Sequence, residues 1–323
     1  MNMRDSLLSL ASRAYMMMCR KARLTVVTLH RIGPAYAIQS EHVERCFRFL
    51  ANNFRAVKPS DLDLTKCDGR MAIVTVDDGH VDAYRHIFPI AKAIGIPISL
   101  CIPTDFFFRG KWLWFDKVTW IMNHTKCGIT VQIKDLDICT GNPVSFAKLR
   151  RYLKRCHPKE RDSIIEQMVH SFDLDLPSSP PEEYRAVAPY ELREMLSSGL
   201  VDIVGHTVTH TIATVLSEKD LDNELRASKQ EWESFCGRSI VSFCYPNGNP
   251  GDFNKRTTAA IKRAEYRYAF TQLEGTNLVR RMDPYELKRV HIHWRSGVSD
   301  KVMSGLVDLQ NRMCGRRRKN DFE

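Results

Sequence analysis

The sequence predicts an α/β fold, a parallel sheet covered by helices. Three observations carry that reading. Short runs such as "LTVVTLHRIGP", "MAIVTVDDG" and "IPISLCIP" are almost continuously apolar and rich in β-branched residues, the pattern of strands buried on both faces. A helical segment follows each of the first strands, giving the β-α alternation of a parallel sheet. The alternation stops near Phe108 and resumes near Pro189. With 323 residues, 43% hydrophobic and 27% charged, the chain has the composition of a globular protein with one large domain or two modest ones.

The elements follow in order. Residues 1–23 read as an amphipathic helix with Leu7, Leu10, Ala14, Met17 and Met18 on one side. Two roles are open to it, packing on its own domain or lying on a membrane surface. Its basic residues come after the apolar stretch, the wrong order for a signal peptide, and no run approaches the ~18 apolar residues of a spanning helix. Residues 24–107 read as the first half of the α/β unit. A strand ends at His30 and a Gly-Pro turn. A helix with Ser40 as N-cap carries Val43, Phe47 and Leu50 on one face. "RAVKPSDL" is a short strand and turn, and Met71–Gly79 is the next buried strand. The helix after His80 is interrupted by Pro89 and closed by Gly95.

Residues 108–188 read as a mainly helical, lid-like insertion. It holds Trp112, Trp114 and Trp120, a strand "ITVQI", two charged helices and the loop "DLPSSPPEE". The tryptophans read as core before groove. Residues 189–300 form the second half: a helix ended by Gly199, the strand and loop "LVDIVGHTVTH", a helix with Ser217 and Asp220 at its start and Gly237 at its end, then strands at "IVSFCYPNG", "YRYAFTQ" and "ELKRVHIHW". Residues 301–323 are a C-terminal helix and the basic tail "CGRRRKN", a solvated end that anionic lipid could hold.

The net charge of +10 fits an anionic partner, namely an acidic membrane surface, an acidic glycan or nucleic acid. No nucleic-acid motif accompanies it, so nucleic acid is not expected. None of the ten cysteines forms a CxxC pair and several lie in apolar runs. A reducing cytoplasm is the simpler compartment, with a peripheral place on the inner membrane face as the expected variant.

Three short motifs carry the chemistry. His206 and His210 are four residues apart in "GHTVTH". Two imidazoles converging near Asp78 would form a His-His-Asp facial set with positions open for water and substrate. Two structural histidines bonding loop backbone are the alternative. Asp77 and Asp78 end a buried strand. Side chains alternate along a strand, so the two can hold different jobs, one binding a cation and one facing water. Like charges so close need a neutralising cation. Gly79 lets the backbone turn there. "FCYPNG", Phe243–Gly248, is a turn whose backbone N–H groups suit a developing oxyanion. His30 ends the first strand, where a parallel α/β barrel keeps its functional residues.

Together these residues resemble the NodB-type polysaccharide deacetylases, carbohydrate esterase family 4. The matching motifs are Thr75-Val76-Asp77-Asp78-Gly79, His206-Thr207-Val208-Thr209-His210 and Phe243-Cys244-Tyr245-Pro246-Asn247-Gly248, in that order. "VVTLHRIGP" is similar to the Y-H-R-V opening of the branch with a permuted motif order, and "YRYAFT" and "DPYELKRVHI" to its closing strands. The resemblance implies a distorted (β/α)7 barrel. It implies that Asp77 is the general base and that Asp78, His206 and His210 hold a divalent metal, most often zinc, with cobalt, nickel or manganese as other candidates. His30 is then the general acid, with His291 and His293 as rivals, and the backbone N–H of Asn247 the oxyanion donor. Tyr245, Pro246 and Arg289 are expected at the substrate. Three positions depart from the family pattern: Val76 replaces Phe, Leu29 precedes His30 in place of Tyr, and Cys244 stands where many members have an arginine that orients the base. Arg289 or Arg31 is the candidate to supply that charge.

The expected function is metal-dependent N-deacetylation of an amino sugar in a cell-surface glycan or its lipid- or nucleotide-linked precursor. An O-acetyl esterase or non-sugar amide hydrolase would use the same metal site. A non-catalytic glycan- or membrane-binding protein would normally have lost a ligand or the base, and all are present here.

Overall fold

The structure, a computed structural model, describes residues 3–18, 22–33, 36–67, 69–293 and 296–313. The basic tail lies outside the described residues. In chain order the elements are α1 (Met3–Met18), β1 (Arg23–Leu29), α2 (Ser40–Asn53), β2 (Arg55–Ala56), β3 (Arg70–Asp77), a π-helical turn (Ala83–Ile87) running into α3 (Phe88–Ile94), β4 (Ile98–Ile102), α4 (Thr104–Arg109), α5 (Trp114–His124), β5 (Thr130–Ile133), β6 (Leu136–Cys139), α6 (Pro143–Leu153), α7 (Pro158–Ser171), α8 (Pro189–Ser197), β7 (Val201–Gly205), α9 (Glu218–Cys236), β8 (Ser242–Cys244), α10 (Lys255–Arg263), β9 (Tyr268–Glu274), β10 (Asn277–Leu278), β11 (Leu287–His291), α11 (Ser296–Met303) and α12 (Leu306–Met313).

The sheet closes on itself. The order β1-β11-β9-β8-β7-β4-β3 is completed by a β3–β1 pairing, all parallel. This is the distorted (β/α)7 barrel that the resemblance implies. β2 extends it beside β3, and β10 pairs with β1 antiparallel. In a closed parallel ring every strand ends on the same face, so His30, Asp77, His206, Tyr245 and His291 all emerge there.

Alternation along the strands sorts the residues into two layers. Leu24, Val26, Met71, Ile73, Cys101, Cys244, Phe270 and Leu287 fill the barrel interior. Val27, Ala72, Val74, Val76 and Val290 pack outward against the helices. Val76 therefore belongs to the outer layer, and a smaller residue there changes packing rather than chemistry. The segment between α4 and α8, expected as an insertion, has a second hydrophobic cluster built on Trp114, Val118, Trp120, Leu149, Ile164 and Met168. Phe115 packs against both cores. The strand "ITVQI" pairs with β6 in a hairpin, a partner the sequence reading did not foresee.

Local signals mostly act where expected. Gly95 and Gly237 end their helices in the left-handed region at φ 77° and 65°, and the Ser217 hydroxyl accepts from Asp220 N. Two expectations need correction. Gln39 rather than Ser40 caps α2, with His42 Nδ1 accepting from its N–H. α1 turns a largely polar side inward: Asp5 and Ser12 are buried beside Met16, which joins the core, while Leu7, Leu10, Met17 and Met18 face outward. Among the described residues no helix is long and apolar enough to cross a membrane.

Candidate active site

Two carboxylates start the site. Asp77 continues the inward-facing row of β3, Met71, Ile73 and Thr75, and is 3% exposed. Asp78 and Gly79 then take left-handed angles, φ 67° and 78°. A Cβ on Gly79 would meet Ile102 at 2.4 Å, so only glycine fits beneath this turn. The left-handed turn, rather than simple strand alternation, gives the aspartates separate partners.

Asp77 is held by Arg289. The guanidinium Nη1 donates to Asp77 Oδ1 at 2.7 Å and to Thr75 Oγ1 at 3.0 Å, and Nε donates to Thr271 O at 2.7 Å. The Cys244 thiol lies 3.8 Å from both Asp77 oxygens. Across the β1–β3 seam Leu29 pairs with Val76, which brings His30 alongside, its Nε2 3.5 Å from Asp77 Oδ2. Burial alone would push the Asp77 carboxyl up. The charge of Arg289, then that of His30, outweighs it and holds Asp77 well below the usual carboxylate range.

Asp78 faces the histidines. Its Oδ1 lies 3.7 Å from His206 Nε2 and 3.2 Å from His210 Nε2. One ligand atom from each of the three residues fits within a 4.8 Å cluster, and all three are buried. Burial raises the Asp78 carboxyl, but the facing imidazoles of His206 and His210 outweigh it and keep it well below its ordinary value. Burial would lower His206, yet Cys244 and Asp78 raise it to about 10. Burial lowers His210, with the Asp78 bond only partly offsetting it.

The donor set fits a divalent cation. His206 Nδ1 lies 2.7 Å from Cys244 O, so in the neutral imidazole the proton sits there and the Nε2 lone pair faces Asp78. That Nε2 is buried without a hydrogen-bond partner, as a ligand atom awaiting a cation would be. One carboxylate and two imidazoles suit zinc and its neighbours better than calcium or magnesium. Binding needs a neutral His206, so occupation displaces its proton.

The loop between the histidines is built from outside. Thr207 and His210 have φ 64° and 55°, angles that need external support. Glu224 of α9 accepts from Val208 N (2.7 Å), Thr209 N (3.0 Å) and Thr209 Oγ1 (2.8 Å). The insertion adds a wall. The Phe115 ring stands edge-on to His210 at 5.1 Å. Asp116 lies 2.6 Å from the buried His80 Nε2. Arg161 of α7, buried, stacks 5.1 Å over Trp114 and reaches Thr211 Oγ1 at 3.5 Å.

The remaining predicted residues divide. Asn247 takes φ 60° in its turn and is partly exposed. Tyr245 and Pro246, expected at the substrate, are buried beneath that turn. Tyr245 stacks on Phe253 and donates to Tyr285 O at 3.2 Å. Arg289, also expected at the substrate, is likewise fully buried, behind Asp77. Its three acceptors occupy Nε and Nη1, while Nη2 is buried without a hydrogen-bond partner among the described residues. Of the two arginines considered for the missing charge, Arg289 meets Asp77, whereas Arg31 bonds Asp82 at 2.6 Å and Glu183 O. The His291 ring stacks 6.4 Å from that of His30. Burial, then His30 and Arg289, lowers His291 to about 4. His293 lies past the end of β11, its backbone bonded at both N–H and C=O to Ser299 Oγ. Glu224, Phe115, His80 and Asp116 escaped the sequence reading. A helix carboxylate and an insertion without a motif give no local signal, although His80 directly follows the aspartate turn.

Residues 151–269 match the family model for polysaccharide deacetylase. Those residues carry the sequence pattern of a polysaccharide deacetylase domain. The chain is a hydrolase of the deacetylase class, acting on carbon–nitrogen bonds. The match spans both histidines and the Phe243–Gly248 turn; the aspartate pair joins them through the barrel. No curated protein matches the chain in sequence. Among solved structures the deacetylase domain is similar to the Streptococcus pyogenes deacetylase PplD in complex with acetate, at 14% identity and TM-score 0.57, covering 89% of this chain and 98% of that one. It is similar to IcaB from Ammonifex degensii (16%, TM-score 0.55, 88% and 98% covered) and to the BpsB deacetylase domain from Bordetella bronchiseptica (14%, TM-score 0.52, 84% and 96% covered). At such identity these likenesses speak to the fold, the same closed barrel.

Proposed function

We propose that this deacetylase removes the N-acetyl group from an amino sugar of a cell-surface glycan or of its lipid- or nucleotide-linked precursor, with a divalent cation, zinc first, held by Asp78, His206 and His210. The observation that carries the reading is the meeting of that buried triad with a second, arginine-held carboxylate, Asp77, on one face of the barrel. When bound, the cation polarises the acetyl carbonyl and eases deprotonation of water.

The chain's own residues supply the rest. Asp77, kept ionised by Arg289, takes the proton from the attacking water. The N–H of Asn247 donates to the oxygen that gains charge as the tetrahedral centre forms. His30, 41% exposed at the mouth and close to Asp77, gives a proton to the departing nitrogen. It suits that role better than His291, whose burial keeps the imidazole neutral. The products are acetate and an amine, and a neutral glycan becomes cationic.

Metal analysis of the purified chain, with acetate release followed over a panel of N-acetylated glycans before and after chelation, tests this. Bound cation and chelator-sensitive acetate release are expected. No bound cation and no acetate from any donor overturns the reading. Glu224→Ala strips three donors of their acceptor and frees the loop between the histidines. Cation affinity is expected to fall about 10–100-fold, measured by competition with a chromogenic chelator. Unchanged affinity would mean that the loop holds its shape without Glu224.

A further inference from the structure

α1 is built inside out. Its packed side is mostly polar: Met16 enters the core, but Asp5 and Ser12 are also buried, Ser9 donates to Asp300 of α11, and Tyr15 OH accepts from Arg23 Nη2 at 3.2 Å. Arg70 Nη1 bonds Met16 O at 2.7 Å and holds the helix against the barrel. The apolar side faces away from the protein. Met3 is 81% exposed, Leu7 59%, Leu10 65%, Met17 81% and Met18 78%. On a helix these positions, with Ala14, fall within an arc of about 100° running the length of the element. Isolated exposed apolar residues are ordinary, but a continuous stripe of large ones is not. The exposed Arg4 and Arg13 lie on opposite borders of the stripe, each about 90° from its centre.

We infer that α1 docks the enzyme on an anionic lipid bilayer, its stripe in the boundary between headgroups and acyl chains and Arg4 and Arg13 at the level of the phosphates. An apolar stripe edged by long cationic side chains matches that interface, where arginines keep their heads in the polar layer while their stems lie on apolar surface. A second copy of the chain fits worse. Pairing the stripes would bring flanking arginines together on two molecules that each carry +10, whereas an anionic surface attracts the same charge. The inference goes beyond the deacetylase reading, since nothing in the site depends on it.

The test is sedimentation of the full chain with vesicles of phosphatidylethanolamine and phosphatidylglycerol, and with vesicles of phosphatidylcholine alone. Wild type is expected to partition onto the anionic vesicles, less so at high salt. The triple variant Leu7→Gln, Leu10→Gln, Met17→Gln should partition about tenfold less or worse. It should keep the wild-type melting temperature and acetate-releasing activity on a soluble oligosaccharide, because the altered side chains are exposed and far from the catalytic residues in sequence and contact. Equal partitioning of the variant, or no partitioning of wild type, overturns the inference. So does a wild-type dimer that the triple variant dissociates. The vesicle readout does not depend on turnover, so a failure of the deacetylase reading would leave it intact.

Discussion

Asp77→Asn is expected to lower kcat for acetate release by about 10²–10⁴-fold, the usual contribution of a positioned base, while cation binding by Asp78, His206 and His210 persists. Steady-state kinetics and metal content measured on one preparation separate the two. The substitution also has a structural effect. Arg289 is fully buried, and among the described residues Asp77 is its only anionic hydrogen-bond partner. Neutralising the carboxylate leaves a buried cation without its counter-charge, at a cost of about 3–5 kcal/mol in unfolding free energy. Denaturant midpoints should show it. If Asp77→Asn turns over at the wild-type rate, Asp77 is not the base.

Arg289→Met is expected to produce the mirror-image defect. The carboxylate then loses the charge that offsets its burial, and stability falls by a similar ~3–5 kcal/mol. Turnover should fall with it, because Arg289 also fixes the direction of Asp77 through Thr75 Oγ1 and Thr271 O. The double variant Asp77→Asn, Arg289→Met separates the roles. Both charges are gone, so much of the lost stability returns while activity stays absent, a strong coupling in a double-mutant cycle. Additive losses of stability would show that the two groups do not form one unit. Arg289→Lys keeps a charge but not the planar fork, and should recover stability better than turnover.

The sequence exposes the parts of this site that are short and local. Strand ends are legible from β-branched runs, and Asp77, Asp78, His206 and His210 follow such runs at once, so both their types and their common face could be read. Arg289 is legible as a charge in an apolar strand and as a candidate for the charge missing beside Asp77, while its expected place at the substrate is not what the fold gives it. Burial behind Asp77 follows from a ring of seven strands in which β11 lies next to β1, and no local pattern carries that neighbour relation. Tyr245 was misplaced for a related reason. A tyrosine in a functional turn invites a substrate role, but its hydroxyl is satisfied by Tyr285 O within the core. α1 was legible as amphipathic and not as inverted, because periodicity gives the width of an apolar face but not what that face meets.

The ring closure also has a temporal side. β1 lies between β3 and β11, so a strand from the start of the chain waits for one near residue 290 before the barrel can shut. Arg289 and His30, the two side chains that meet Asp77 from either side, belong to those two strands and the turn just past them. During synthesis the aspartates and both histidines emerge from the ribosome well before Arg289 does. Until then the base has no counter-charge and the ring no last stave. Contacts this far apart in sequence form late and slowly, so the base gains its counter-charge only when β11 docks beside β1.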